Sequence, residues 1–158
     1  MAVDFFLKLD AINGESLDSH HTNEIGILSW SWGGSQVTSV GSGGGAGAGK
    51  VSLADLHIVK HYDAASVPLL KALMAGTHIK TGVLVANKAG GDGKPFLKVS
   101  LEELFVTSIQ SSGSSEIPTE SVSFSYNKIK VEYSKQNSQG VLTVAGSLTY
   151  DLKANKLS

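Results

Sequence analysis

A run of nine small residues in the first third of the chain most constrains what this sequence can fold into. This segment, called here the glycine run, comprises Gly41, Ser42, Gly43, Gly44, Gly45, Ala46, Gly47, Ala48 and Gly49. Ordering such a segment costs roughly 1–2 kcal/mol of conformational entropy per residue, and its side chains bury almost nothing in return. The glycine run is therefore either a slack linker or a segment that something outside the chain orders. The rest of the sequence favours the second interpretation.

The segment before the glycine run alternates large and small side chains, which is typical of a strand with one buried face. Leu28, Trp30 and Trp32 fall on one side of the alternation, and Ser29 and Ser31 fall on the other. We therefore predict that this segment is a strand and that both tryptophan side chains lie in the core. Loss of either side chain would then cost roughly 3–5 kcal/mol.

Similar alternation recurs between turn residues, and helical periodicity occurs once. The predicted strands cover residues 3–9, 25–32, 51–61, 77–87, 94–110 (as a strand pair or one bent strand), 122–134 and 141–150. The predicted helix covers Ser66–Ala75. Leu69 and Leu73 have the spacing of one helical face, and Gly76 is a residue type that commonly follows a helix end. This pattern predicts a mainly β fold, either a small β-barrel or a β-sandwich, with one flanking helix.

The length of 158 residues suits one domain, predicted over residues 1–158 with an extended glycine-rich loop at about 35–50. Charged residues make up 17% of the chain, where about a quarter is usual. A surface with so few charges suits a chain that is largely covered by other copies of itself. The alternative is an ordinary neutral β domain.

Several classes of function are disfavoured by composition. The net charge is −1 and no stretch is strongly basic, so nucleic-acid binding has no electrostatic basis. The sequence lacks an apolar run of roughly 18 residues and a typical signal peptide, so membrane insertion is not expected. Cysteine is absent, which excludes disulfides and thiolate catalysis.

The polar residues form no recognisable catalytic or metal-binding pattern. His57 and His61 are four residues apart, but they lie in a predicted strand without a third ligand. His20 and His21 are predicted to lie in a surface loop. The glycine run lacks the Gly-Lys-Ser/Thr ending of a phosphate-binding loop, because Val51 follows Lys50. We predict no enzyme activity and no cofactor.

Several short motifs, taken together and in order, resemble one protein family. They are residues 1–4 (Met-Ala-Val-Asp), 13–16 (Asn-Gly-Glu-Ser), 24–25 (Glu-Ile), 29–33 (Ser-Trp-Ser-Trp-Gly), 47–50 (Gly-Ala-Gly-Lys) and 88–91 (Lys-Ala-Gly-Gly). In this order they resemble the haemolysin-coregulated proteins, the inner-tube subunits of the bacterial type VI secretion system. The resemblance extends over residues 1 to about 110, and the ending after Tyr150 is also similar.

The resemblance implies a small β-barrel with one flanking helix, similar to phage tail-tube proteins. It implies hexameric rings that stack into a tube, are ejected with sheath and spike proteins, and hold small effector proteins in the lumen. Such a chain is made in the cytoplasm and secreted through the type VI system without a cleaved signal peptide. The alternatives are a phage-type tail-tube protein and, less favoured, a small β-fold hydrolase or metal enzyme.

The resemblance also suggests roles for two parts of the chain. The glycine run is expected to be mobile in free rings and ordered between stacked rings, so it is the predicted ring-stacking loop. Ser29 and Ser31, opposite the tryptophans, are predicted to line the lumen and face cargo. The alternative for these serines is an ordinary wet outer face.

Overall fold

Strands dominate the secondary structure, which a computed structural model describes for residues 2–38 and 48–158, with side chains for 2–37 and 51–158. The strands are β1 Val3–Leu9, β2 Ile25–Ile27, β3 Ser29–Ser31, β4 Gly34–Thr38, β5 Ala48–Leu53, β6 Leu56–His61, β7 Ile79–Lys88, β8 Pro95–Ser112, β9 Thr119–Ser125, β10 Lys128–Gln136, β11 Leu142–Asp151 and β12 Lys156–Leu157. The helix α1 spans Ser66–Ala75.

The strands form two sheets and a separate hairpin. Sheet A has the order β12-β11-β10-β8-β7-β1-β2, and sheet B has the order β3-β6-β9-β8. All pairs in both sheets are antiparallel. Among residues 2–38 and 48–158, strands β4 and β5 pair only with each other and form the hairpin. The sheets are sandwich-like and do not close into a barrel, which decides between the two predicted architectures and corrects the barrel that the resemblance implied.

The long strand β8 belongs to both sheets because it bends near its middle. Residues 97–102 pair with β10 and β7 in sheet A, whereas residues 105–112 pair with β9 in sheet B. Glu103 lies between the two parts with φ of 54°, a left-handed conformation that turns the strand. The prediction of one bent strand, rather than a strand pair, is therefore the correct alternative.

One hydrophobic cluster fills the space between the sheets and beneath the helix. It draws inward-facing side chains from both sheets, including Leu7, Ile25, Ile58, Leu101 and Phe124, each of them almost fully buried. Helix α1 contributes Leu69 and Ala72 to the same cluster. Because alternate residues of each strand point inward, the outward positions carry mainly polar side chains.

The helix begins and ends where the sequence predicts. Gly76 adopts φ of 65° and caps the helix through its N–H, which donates to the carbonyls of the last turn. Met74, in the last turn of the helix, is 78% exposed. Among the described residues, this ten-residue helix is too short to cross a membrane.

Three predicted strands differ from the structure, because each is broken at a bend where the inward-facing positions shift by one residue. Residues 25–32 divide at Leu28 into β2, which joins sheet A, and β3, which joins sheet B. Residues 51–61 divide into β5 and β6, and residues 122–134 divide into β9 and β10. Leu28 is 48% exposed and does not share the tryptophan side. At each bend the chain leaves one sheet or the hairpin for another sheet.

The tryptophan prediction is only partly correct. Trp30 and Trp32 pack against the core cluster, but both are half-buried rather than enclosed in the core. Among the described residues, β3 is the edge strand of sheet B and carries Trp30, whereas Trp32 lies just after the end of β3. We therefore expect removal of either indole to cost less than the 3–5 kcal/mol of a fully buried residue.

The region predicted as a glycine-rich loop at about 35–50 has strands at both ends. Strands β4 and β5 cover residues 34–38 and 48–53, with Gly34 paired to Leu53 at the foot of the hairpin. Ala48 and Gly49 begin β5. Residues Gly41 to Gly47 of the glycine run lie outside the described residues.

Candidate functional site

An apolar groove lies between the hairpin and the far end of sheet A. Its volume is about 480 Å³, and it is lined by Trp32, Gln36, Val51, Leu53, Ile129, Leu148, Tyr150, Asn155 and Leu157. Leu148 and Leu157 are 42% and 66% exposed. Apolar side chains left this open in a soluble protein commonly mark a contact surface.

Part of strand β11 has both of its faces and one of its edges uncovered among the described residues. Its residues 143–148 are all exposed, so neither face of this part of the strand has a second layer over it. On the side away from β10, strand β12 covers only the end of β11, at Tyr150 and Asp151. The backbone of residues 142–148 therefore forms an open sheet edge among the described residues, with Val144 and Leu148 exposed beside it.

The outer face of sheet B, called here the serine face, carries small polar side chains in register. Across β3, β6, β9 and β8 one row consists of Ser31, His57, Ser123 and Ser108, and the next consists of Ser29, Val59, Ser121 and Gln110. His57 Nδ1 is 2.9 Å from Ser123 Oγ. Neither row contains Asp, Glu, Lys or Arg, so these two rows carry no fixed charge.

A chain of hydrogen bonds ties the foot of the hairpin to the body. Trp32 Nε1 donates to Tyr126 Oη at 2.5 Å, and Tyr126 Oη donates to the Ala54 carbonyl at 2.8 Å. The Ala54 N–H in turn donates to the Gly33 carbonyl at 2.8 Å. Burial raises the pKa of Tyr126 above its ordinary value, and the Trp32 hydrogen bond opposes this in part. The phenol therefore keeps its proton and remains a donor.

A buried ionic cluster joins sheet B to the start of helix α1. Lys60 is fully buried, and its Nζ lies 2.5 Å from Glu120 Oε1 and 2.8 Å from Asp63 Oδ1. Ser66 Oγ accepts from Lys60 Nζ at 3.0 Å and donates to Glu120 Oε1 at 2.6 Å. Asp63 Oδ1 also accepts the N–H of Ala65 at 2.9 Å. The cluster holds the first turn of the helix against β6 and β9.

His21 does not lie in a surface loop, contrary to the sequence prediction. Its ring stacks on Phe6 at a centroid distance of 4.4 Å and is only 8% exposed. Glu24 lies 3.1 Å from Nδ1, and the Asn87 amide lies beside Nε2. The loop that carries His21 folds back onto sheet A. The sequence did not predict this, because Phe6 and Asn87, which His21 contacts, are distant from it in the chain. His20 is exposed, as predicted.

The adjacent carboxylates Glu102 and Glu103 form separate surface contacts. Lys128 Nζ lies 3.9 Å from Glu102, and Lys153 Nζ donates to Glu103 Oε2 at 2.8 Å. The Lys153 hydrogen bond, aided by its charge, lowers the pKa of Glu103, and the same contact raises the pKa of Lys153. Within residues 2–37 and 51–158, no group of three His, Cys, Asp or Glu side chains is placed to hold a metal ion.

Comparison with known proteins identifies the class to which this fold belongs. A family model described as "Type VI secretion system effector, Hcp" matches residues 6–133. Protein hcp1 of Pseudomonas aeruginosa is 39% identical over 143 residues, which is 89% of this chain and 88% of that protein. A solved structure described as a type six secretion system protein has a TM-score of 0.92 at 31% identity and covers 99% of this chain and 100% of its own. Hcp1 from Salmonella typhimurium has a TM-score of 0.81 at 37% identity over the whole of both chains.

These likenesses define a β-sandwich protein of type VI secretion. The chain belongs to the Hcp family, the haemolysin-coregulated proteins, as its sequence motifs indicated. The structure shows Ser29 and Ser31 together on the serine face, both exposed. They belong to a different pairing from the hairpin, because β3 pairs with β6 in sheet B, whereas in the described part of the chain β4 pairs only with β5.

Sequence reasoning missed the groove, the open edge of β11, the Lys60 cluster and Tyr126. The sequence contains one weak signal for Tyr126, because an aromatic residue directly follows the alternating strand that ends at Ser125. Lys60 had none, because a lysine between strand residues is ordinarily exposed. Both depend on partners more than 50 residues away in the chain.

Proposed function

We propose that this chain is a structural, non-catalytic subunit of the type VI secretion inner tube, with six copies in a ring and rings stacked end to end. The observation that carries the proposal is the uncovered part of β11, where an open edge and exposed apolar side chains lie beside the apolar groove. An isolated domain would leave all of these in water. A neighbouring copy that pairs along β11 would cover them together.

A ring also accounts for the low charge of the chain. Each subunit of a closed ring contacts two neighbours and buries two different surfaces. Obligate interfaces of this kind are apolar and commonly exceed about 2,000 Å² of buried area. The groove and the open edge supply one such surface, and the 17% share of charged residues leaves other apolar area available for the second.

The ring is tested by the mass of the particle in solution. We expect light scattering at micromolar concentration to give about 99 kDa, six times the 16.5 kDa chain. Leu148→Asp should reduce the mass to that of a monomer, because it places a charge in the apolar contact. Met74→Asp, at an exposed apolar side chain of helix α1, should leave the ring mass unchanged.

Two results would contradict this assignment. A wild-type monomer at micromolar concentration would reject the ring itself. An unchanged ring for the folded Leu148→Asp variant would show that β11 is not the lateral contact. A circular dichroism spectrum that matches wild type distinguishes a failed contact from a failed fold.

We further propose that the glycine run is the ring-stacking element. Strands β4 and β5 flank it in sequence, and among the described residues they pair with each other and with no strand of either sheet. A segment with almost no side chain buries little surface within its own subunit, so little offsets the conformational entropy lost on ordering it. Contacts with the next ring would supply that stabilisation. Sheath and spike proteins are the expected further partners of the stacked tube.

The serine face is the proposed lining of the lumen, with Ser31 as a cargo contact. A channel that holds varied effector proteins benefits from a surface without fixed charge or large apolar patches, and the aligned rows around Ser31 have that character. We expect Ser31→Trp to leave the ring mass intact and to reduce co-purification of a cognate effector about tenfold, which corresponds to 1.4 kcal/mol of binding free energy. Lys71→Trp on exposed helix α1 is the matched control. Equal effector retention in both variants would reject the lumen assignment.

A further inference from the structure

The two ends of the β4–β5 hairpin, called here its feet, are both linked through hydrogen bonds to one side chain outside the hairpin. The first foot is Gly33, directly before β4 and directly after Trp32, and the second foot is Ala54, directly after β5. The two feet are joined by the hydrogen bond from Ala54 to Gly33. Tyr126 Oη accepts from the Trp32 indole on one side and donates to the Ala54 carbonyl on the other. A single hydroxyl thus holds the chain as it enters and as it leaves the hairpin.

Tyr126 is itself held at the point where the two sheets meet. It lies in the turn between β9 of sheet B and β10 of sheet A. The next residue, Asn127, donates its N–H to the backbone carbonyl of Glu102 at 3.0 Å, beside the bend of β8. Asn127 also accepts the N–H of Leu152 on its carbonyl and the N–H of Lys153 on Oδ1. The hydroxyl therefore projects from a turn that is anchored to β8 and to the C-terminal segment.

The chemistry of this contact is specific to a tyrosine. A phenol supplies one donor and an acceptor, and here both are used in different directions. Tyr126 is 7% exposed, so loss of the hydroxyl would leave the indole N–H and the Ala54 carbonyl without this partner. Phenylalanine would keep the ring packing but would provide neither bond.

We propose that Tyr126 is a positioning residue that fixes the direction in which the hairpin, and with it the glycine run, leaves the body. This inference rests on the proposed tube function, in which every subunit of a ring presents its glycine run to the next ring at the same angle. The glycine run has few side chains with which to define that angle. The direction must therefore be set at the foot of the hairpin, where Tyr126 connects it to the junction of the sheets.

The test compares Tyr126→Phe and Trp32→Phe with wild-type rings. Tyr126→Phe removes both bonds, whereas Trp32→Phe removes only the one from the indole. We expect amide hydrogen exchange in peptides covering residues 33–38 and 48–54 to accelerate about tenfold for Tyr126→Phe, with the ring mass unchanged, and less for Trp32→Phe. Because Trp32 also lines the groove, its variant is compared by hydrogen exchange alone. The fraction of rings that sediments as tubes should fall for Tyr126→Phe. It should approach the value for rings in which bulky residues replace Gly43–Gly45.

Matched controls make the same chemical changes elsewhere. Tyr62→Phe removes a hydroxyl from a tyrosine that is 42% exposed. Trp30→Phe alters an indole that packs edge-on against Phe5 at 6.3 Å, on the same strand side as Trp32. Both controls should retain wild-type exchange in the hairpin and wild-type sedimentation.

Each result bears on either the positioning role or the tube function. Unchanged hairpin exchange in a folded Tyr126→Phe ring overturns the positioning role, as does faster exchange with normal sedimentation. If Tyr126→Phe does not fold, Trp32→Phe decides, since it breaks the same chain of bonds from the other end. If wild-type protein forms neither rings nor tubes, the tube function fails, while exchange in the variants still decides whether Tyr126 holds the hairpin.

Discussion

Lys60→Met is expected to lower the free energy of unfolding by about 3–5 kcal/mol, the cost of removing one partner from a buried ion pair. Lys60 is fully buried between Glu120 and Asp63, and the side chain of Glu120 is 1% exposed. Methionine fills a similar volume but leaves buried carboxylate charge without its cation. Chemical denaturation of wild type and variant at one protein concentration measures the difference, because assembly adds to apparent stability.

The control for this prediction is an exposed lysine in a comparable contact. Lys128 lies 3.9 Å from Glu102, and both side chains are more than 40% exposed. Lys128→Met should cost no more than about 1 kcal/mol, since solvent screens such pairs. The double variant Lys60→Met with Glu120→Leu should lose less than the single changes combined, because it removes both buried charges. A Lys60→Met protein as stable as Lys128→Met would show that the cluster does not hold the helix.

Phe124→Ala is the second change with a large expected effect, about 3–5 kcal/mol of lost stability. Phe124 is fully buried on β9, paired with Leu56 of β6 on one side and Val106 of β8 on the other. Its removal leaves a cavity in the centre of the core cluster that neighbouring strands cannot collapse to fill. Thermal and chemical unfolding both report the loss.

Phe105 provides the matched comparison, because it is the same residue type on the neighbouring strand with the opposite orientation. It is 42% exposed and its ring contacts His78 at a centroid distance of 5.5 Å. Phe105→Ala should cost no more than about 1–2 kcal/mol, as only part of its surface leaves water on folding. Equal losses for the two variants would contradict the assignment of Phe124 to the centre of the core.

Local features were predictable because their causes are local. The helix over Ser66–Ala75 follows from apolar spacing within ten residues and from Gly76, the one residue type that adopts φ of 65° without strain. Strand β1 follows from alternation over seven residues. The family was likewise predictable, because it is carried by short motifs that need no knowledge of packing.

The strand ends were less predictable because a break in the alternation does not tell which sheet the chain enters next. The large residues change phase at Leu28, from Ile25 and Ile27 to Trp30 and Trp32, but this shift does not indicate that the chain leaves sheet A for sheet B. That step exposes Leu28. The same holds for Tyr126, where one apparent strand is two strands in different sheets. A pattern of period two reports which side chains share a face and does not report which sheet supplies the face.

The sequence by itself determined the mainly β composition, the helix, the Hcp family and the absence of charge on Ser29 and Ser31, because each depends on residue types and their spacing. Tertiary structure alone decided the open sandwich, the groove, the buried environment of Lys60 and His21, and the contact of Tyr126 with both feet of the hairpin. These depend on pairs of residues brought together from distant parts of the chain. Burial then sets the free-energy cost of each polar group. A lysine or tyrosine side chain in water is hydrated at no cost, whereas the same side chain in the core is stable only with hydrogen-bond or ion-pair partners.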